Sequence, residues 1–190
     1  RRQRQMCIRD SSKAYEVLTN LSSTKNNIIL DFNYTASTRL ILKQCGLSDE
    51  DIDNRLIKVH GEASNNDIIF GVEDNAGIKK EHVFLRKAYN IKYKALNFSE
   101  LYDRIKSVAI FGHSLGETDH TYFNKLFQES CMYNKFSTNN NKEFWLFYYK
   151  ENGYHCMMQQ LDSLTHNSLT SFRQYNRVNF INTDKEKVFI

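Results

Sequence analysis

The chain has 190 residues, 41% of them hydrophobic and 13% aromatic, so it is long and apolar enough to bury a core, which excludes a disordered polymer. Its formal charge is +4, of which the first 11 residues contribute +3 through four arginines set against Asp10, so no nucleic-acid-binding surface is predicted. Neither a run of 18 apolar residues nor an apolar leader occurs, so no membrane span and no secretory signal are predicted.

The opening stretch RRQRQMCIRDS, residues 1–11, differs in composition from the rest of the chain. It resembles translated adaptor sequence at the end of a metagenomic reading frame. We therefore expect a non-native tail over 1–11 and one α/β domain over 12–190. No initiating Met precedes the stretch, and we expect an N-terminal part of the natural protein to be missing.

Metal binding is not predicted from the cysteines or histidines. The four cysteines are scattered and form no C-x-x-C pair, so we expect no zinc and reduced thiols in a cytoplasmic protein. His113, Asp119 and His120 stand close together, but no fixed ligand spacing links them, so no metal is expected there either.

Short apolar runs typical of buried strands alternate with amphipathic helices along the chain. In chain order the predicted elements are a helix over 12–21, a strand over 27–33, a helix over 36–45, strands over 55–61 and 67–72, helices over 81–88 and 98–105, a strand over 107–112, a helix around 122–127, a strand over 144–149, helices over 154–164 and 168–176, and a strand over 178–181. This alternation predicts an α/β fold, a three-layer Rossmann-like, mostly parallel sheet with helices on both faces.

Polar residues at the strand ends are the candidates for a site, because ligands of parallel sheets bind beyond the carboxyl ends of the strands. Asn33 follows the first strand, His60-Gly61 ends the second, and Gly112–Ser114 follows a later one. We expect Asn33, His60 and Ser114 to converge on one cleft at the carboxyl edge of one sheet.

Simpler roles are open for two of these residues. Asn33 is a favoured N-cap residue and would fit the helix that begins at Ala36. A histidine such as His60 at the end of an apolar strand is commonly just hydrogen-bonded, although the conformational freedom of Gly61 beside it favours a functional position.

The stretch GHSLG, Gly112–Gly116, fits G-x-S-x-G, the nucleophile elbow of serine hydrolases, and it stands between a strand and a helix as that elbow does. Against this interpretation, Glu117–Asp119 follows where an elbow helix has small residues. A triad also needs an acid and a histidine at later strand ends, whereas His155 and His166 fall on or near a helix. A serine hydrolase that uses Ser114 stays an alternative.

The same turn fits a phosphate or ribose cradle. A Gly-rich turn from a strand into a helix offers backbone N–H groups and the positive end of a helix dipole. Ser114 adds a hydroxyl donor, and Asp119 would either cap the helix or reach a ribose hydroxyl. This interpretation needs no downstream triad.

Four blocks, ILDFNYT, KVHGEA, IIFGVEDN and AIFGHSLGETDHTYF, occur in this order, and the set resembles the bacteriophage abortive infection AbiH family over about residues 27–165. AbiH proteins in turn resemble sirtuin-like domains, including NAD-consuming ones used in phage defence. A sirtuin site has an Asn after an apolar strand, a His-Gly pair and a Gly-x-Ser-Leu turn. Asn33, His60-Gly61 and Gly112–Leu115 stand at those places.

The chain also departs from the sirtuin pattern. Thr35 stands where a sirtuin has Asp, and the zinc-binding cysteine module of deacetylating sirtuins is not in the sequence. AbiH proteins begin with a strand and a Gly-x-Gly-Phe-Asp-like turn, and no such turn precedes Asn33. We therefore expect the complete gene product to consume NAD and the present chain alone not to.

The resemblance implies an abortive-infection protein with a nicotinamide nucleotide such as NAD as ligand and cleavage of its glycosidic bond as the reaction. It implies His60 as the base and Asn33 as the residue that positions the ribose or the attacking water. The cofactor-binding residues that it implies are Gly61, Gly112, His113, Ser114, Leu115 and Asp119. Candidate partners are the small-molecule nucleotide, a phage-derived trigger and a second copy of the chain. A non-catalytic nucleotide-sensing or partner-binding module is the other alternative.

Overall fold

The computed structural model describes residues 13–24, 26–69, 71–72, 76–86, 89, 104–132 and 141–185. The suspected tail over 1–11 and nearly all of the predicted helix over 98–105 lie outside these ranges. The chain divides into two compact units, Arg1–Phe70 with Lys187–Ile190 and Gly71–Glu186.

The first unit is built on a two-stranded parallel sheet. Its elements are α1 (Lys13–Ser22), β1 (Ile29–Asp31), α2 (Ser37–Gln44), α3 (Asp49–Arg55), β2 (Leu56–Lys58) and a 3₁₀ turn (Ala63–Asn65). The register sets Ile29 opposite Leu56 and Asp31 opposite Lys58. Because parallel strands end on the same side, the residues that follow Asp31 and Lys58 become neighbours.

The core of the first unit lies between its helices and the sheet, and its buried residues are Leu18, Ile41, Leu42, Ile52 and Leu56. Helix α3 was not predicted from the sequence, because only Ile52 in it is buried and it shows no apolar periodicity. Polar end effects stabilise this helix instead. Ser48 Oγ accepts a hydrogen bond from the backbone N–H of Asp51 at 3.1 Å, and the first turn is acidic.

The second unit contains a three-stranded parallel sheet in the order β3-β4-β5. Its elements are a 3₁₀ helix (Lys80–Leu85), β3 (Ser107–Ile110), a 3₁₀ turn (Glu117–Asp119), α4 (His120–Ser130), β4 (Glu143–Tyr148), α5 (Lys150–Leu164), α6 (Leu169–Tyr175) and β5 (Arg177–Asn182). Three fully buried rings, Phe127, Phe144 and Phe172, join α4, β4 and α6, with ring centroids 4.8–5.6 Å apart.

Several predicted elements are confirmed, but the arrangement of the sheet differs. Parallel strands alternate with helices, as expected for an α/β fold, yet the described strands form two sheets, so the single three-layer Rossmann-like sheet is not confirmed. The strand predicted over 67–72 is wrong in its described part. There the N–H of Ile69 donates back to the carbonyl of His60 at 2.9 Å, and Val72 makes only an isolated bridge with Arg86.

Candidate functional site

Asn33 lies in an exposed loop immediately after β1 and is bound to the last residue of that strand. The carboxylate atom Oδ1 of Asp31 accepts two hydrogen bonds from Asn33, one from its backbone N–H at 2.9 Å and one from its side-chain Nδ2 at 3.1 Å. The N-cap interpretation of Asn33 is wrong, because the N-cap of α2 is Ala36, which makes no side-chain cap bond. Asn33 is thus free of a helix-capping role.

Lys58, the last residue of β2, holds the same loop from the neighbouring strand. Its Nζ donates to Asp31 Oδ2 at 2.8 Å, to the carbonyl of Thr35 at 2.7 Å and to the carbonyl of Asn33. The ion pair is largely shielded from water, with side-chain exposures of 17% for Lys58 and 3% for Asp31. All three ammonium hydrogens therefore have acceptors in one short loop.

His60 is buried beside this loop, with 5% of its surface exposed. Its ring packs against Phe32 in a T-shaped arrangement at a centroid distance of 5.4 Å and stacks on Tyr34 at 5.9 Å. These two aromatic residues flank Asn33 in the chain. The structure therefore places Asn33 and His60 in adjoining segments at the carboxyl end of one parallel strand pair.

Gly61 is required by the turn that follows His60. Its φ is +73°, and a Cβ atom there would lie 2.1 Å from the backbone oxygen of Asp67. The side chain of Asp67 closes the same loop, since its Oδ1 accepts from the N–H of Glu62 at 2.6 Å. The conformational freedom expected of Gly61 is therefore used for backbone packing, a role that is compatible with a nearby ligand.

The Gly112–Gly116 turn lies at the carboxyl end of β3, in the second unit. Gly112 has a φ of +65°, and it and Ser114 are exposed. Leu115 is fully buried with a φ of +54°, an unfavourable conformation for a residue with a side chain. Among the described residues, the N–H groups of Ser114 and Gly116 donate to no backbone carbonyl.

His113 and Asp119 stabilise this turn from within. The N–H of Leu115 donates to His113 Nδ1 at 2.9 Å, so Nδ1 carries no proton, and His113 Nε2 faces Asp119 Oδ2 at 3.3 Å. Asp119 is the N-cap residue of α4, as the capping interpretation expects, but its side chain makes no cap bond. Its carboxylate is instead directed to the imidazole.

The geometry around Ser114 differs from that of a hydrolase nucleophile. Within the described part of the chain, Ser114 Oγ makes no hydrogen bond, so no histidine there is set to accept its proton. His120 Nε2 faces two acceptors, the carbonyl of Leu115 at 3.0 Å and Gln160 Oε1 at 2.9 Å. The described residues thus give Ser114 no histidine partner of the kind that a catalytic elbow needs.

The second unit contains an open pocket of about 410 Å³ that was not predicted from the sequence. It lies at the carboxyl ends of β4 and β5, where parallel sheets bind ligands, and its size is in the range of small-molecule sites. Its lining residues are Tyr148, Lys150, Glu151, Tyr154, Asn182, Asp184 and Lys185. Lys150 has a φ of +56°, a left-handed conformation that usually calls for glycine. Because the residue is a lysine, only the structure shows this conformation.

Asp31 and Lys58 are the other residues that the sequence analysis did not select. A signal for them exists, because each is a charged residue inside an otherwise apolar run, ILDF and LIKV, and the two charges are opposite.

The site residues predicted from the sequence fall in two groups. Asn33, His60 and Gly61 belong to the first unit, and Gly112–Asp119 belongs to the second.

No group of three or more potential metal-ligating side chains occurs within the ranges that the structure describes. None of the described helices combines the length and the apolar surface needed to cross a bilayer.

A family model described as "Bacteriophage abortive infection AbiH" matches residues 2–146, about three quarters of the chain. The matched range contains every selected site residue and ends before the cavity-lining residues. No curated protein and no solved structure matches the chain.

Proposed function

The chain belongs to the bacteriophage abortive infection AbiH family, and from this premise we propose that the complete gene product acts in anti-phage defence by binding a nicotinamide nucleotide such as NAD and cleaving its glycosidic bond. The reaction takes place in the cytoplasm. A phage-derived trigger and self-association are candidate means of activation.

The observation that carries this proposal is that Asn33 and His60 follow the two paired strands, β1 and β2, at their common carboxyl end. A glycosidic hydrolysis needs a base for a ribose hydroxyl or for water, and His60 is a suitable residue type. It also needs a group that fixes the attacking oxygen, which an exposed amide such as Asn33 supplies. The contacts of Phe32 and Tyr34 orient the imidazole.

The Gly112–Leu115 turn supports nucleotide binding in a different way. Phosphate and ribose oxygens need hydrogen-bond donors. The exposed Ser114 hydroxyl is one, and so are the N–H groups of Ser114 and Gly116, which donate to no backbone carbonyl among the described residues. In this proposal His113 and Asp119 do not touch the ligand through Nδ1 or Oδ2, which are engaged with Leu115 and with each other. They maintain the shape of the turn.

A nucleotide-sensing module without catalysis is the second candidate function. The burial of His60 favours it, because a side chain with 5% of its surface exposed offers little surface to a reacting substrate. Sensing would use the same residues for binding and none of them for proton transfer.

Expression of the complete gene and of its His60→Ala variant in a phage-sensitive host separates the two candidates. We expect wild-type protein to lower cellular NAD after phage challenge. His60→Ala should reduce turnover roughly 10²–10⁴-fold, the usual contribution of a general base, with a much smaller effect on binding. Cys45→Ala is the matched control in the same unit. Protection of the cells with unchanged NAD would favour the sensing module.

A further inference from the structure

Two charged residues that the proposed mechanism does not use, Asp31 and Lys58, determine how Asn33 is presented. Asp31 Oδ1 accepts from both the backbone N–H and the Nδ2 of Asn33, at 2.9 and 3.1 Å. A carboxylate only accepts hydrogen bonds, so the amide atom that faces it has to be the nitrogen. The orientation of the Asn33 amide is thereby assigned by chemistry.

The carbonyl atom Oδ1 of Asn33 points away from this contact and makes no hydrogen bond with any described residue, and Asn33 is exposed. Oδ1 can only accept. A ligand group that binds there must therefore be a donor, such as a hydroxyl or a water molecule.

Lys58 makes this arrangement rigid. It neutralises the buried carboxylate of Asp31 at 2.8 Å and also binds the carbonyls on both sides of Tyr34, those of Asn33 and Thr35. The loop is thus fastened at its backbone by Lys58 and at its side chain by Asp31. Removal of Lys58 would leave Asp31 as an uncompensated buried charge.

We propose that Asp31 and Lys58 are positioning residues that present Asn33 Oδ1 as a hydrogen-bond acceptor to a ribose hydroxyl or to the attacking water. This inference rests on the proposed function, because it needs a nucleotide at Asn33. It adds the direction of the hydrogen bond and the two residues that enforce it. No bond is broken at Asn33, which only orients the donor.

The test uses purified full-length protein and measures nicotinamide release from NAD. Lys58→Met alone leaves a buried charge, so the informative variant is Asp31→Asn/Lys58→Met, which removes both charges together. Its matched control is Asp49→Asn/Lys43→Met, which removes an exposed ion pair of 2.7 Å from the same unit. Thermal melting establishes that each variant is folded.

We expect the Asp31→Asn/Lys58→Met variant to lose about 10²-fold in kcat, the scale of a misplaced reacting group, while KM changes by less than about threefold. The control should keep both constants. A folded double variant with wild-type kcat would overturn the inference and leave the proposed function standing. Wild-type protein that releases no nicotinamide would refute the proposed function and this inference with it.

If the double variant does not fold, Lys58→Arg replaces it. Arginine keeps the charge beside Asp31, but its planar donors do not match a carboxylate and two separate carbonyls as a lysine ammonium does. We expect a folded protein with reduced kcat, and full activity would overturn the inference. NAD analogues with a methoxy group for each nicotinamide-ribose hydroxyl distinguish the two donors. A methoxy group that weakens binding to wild type but not to Asn33→Ala assigns that hydroxyl as the donor. If each methoxy group changes the affinity of the two proteins equally, while Asn33→Ala still lowers kcat with NAD, the donor is water.

Discussion

At the scale of single residues, the turn that follows the candidate base His60 depends on glycine at position 61, because a Cβ atom does not fit there. Gly61→Ala combines a left-handed φ of +73° with a Cβ 2.1 Å from the Asp67 oxygen, so we expect a loss of about 3–4 kcal/mol in the free energy of unfolding. Gly46→Ala is the control, since its φ is +88° but nothing lies within 4 Å, and it should cost about 1–2 kcal/mol. Equal losses in denaturant titrations would contradict the proposed clash.

Ser114 provides a residue-scale test between a cradle and a nucleophile. Its Oγ is hydrogen-bonded to no described residue, and His113 Nδ1 already accepts from Leu115. We therefore expect a fluorophosphonate probe not to label Ser114, as read by peptide mass spectrometry beside a known serine hydrolase. Stoichiometric labelling that disappears in Ser114→Ala would favour the hydrolase instead.

Two cysteines should differ in reactivity for an electrostatic reason. Burial raises the pKa of the Cys131 thiol above its ordinary value of 9.0, whereas Cys156 is exposed. At pH 8 we expect iodoacetamide to alkylate Cys156 well before Cys131. The raised pKa means that the fold favours the neutral Cys131 thiol. The contribution of this thiol to the free energy of unfolding is therefore complete below pH 9.0 and declines as the pH rises through the pKa of the folded state. Equal alkylation rates would contradict this, and Cys131→Ser identifies the peptide.

At the scale of elements, α6 is a seven-residue helix whose single buried side chain is Phe172. Its ring lies 4.8 Å from Phe144 of β4 and 5.5 Å from Phe127 of α4, so one side chain joins three elements. We expect Phe172→Ala to lower the free energy of unfolding by about 3–5 kcal/mol. Phe84→Ala removes a ring that is 64% exposed and should change it by no more than about 0.5 kcal/mol. Similar melting temperatures of the two variants would refute this role of α6.

At the scale of the whole molecule, the composition of residues 1–11 and the family match lead to different expectations for these residues. Their arginine-rich composition is typical of a non-native tail, whereas the family match begins at residue 2. We expect deletion of residues 1–11 to change the free energy of unfolding by less than about 0.5 kcal/mol, because no packing role is predicted for them. A clear fall in melting temperature relative to the undeleted chain would show that they belong to the fold.

The sequence by itself determined the elements with a strong local pattern and the family. The apolar stripe of α4 and the apolar run of β4 are patterns of residues within a single element, so they can be recognised locally. The AbiH motifs can be recognised because they occur in a fixed order along the chain. Only the tertiary structure decided that the described strands form two sheets, because strand pairing joins residues far apart in the chain and local periodicity carries no information about it. It alone paired Asp31 with Lys58, 27 residues apart, and buried His60 between Phe32 and Tyr34. Those contacts depend on how parallel strands bring distant chain segments to a common edge, which is a property of the folded chain.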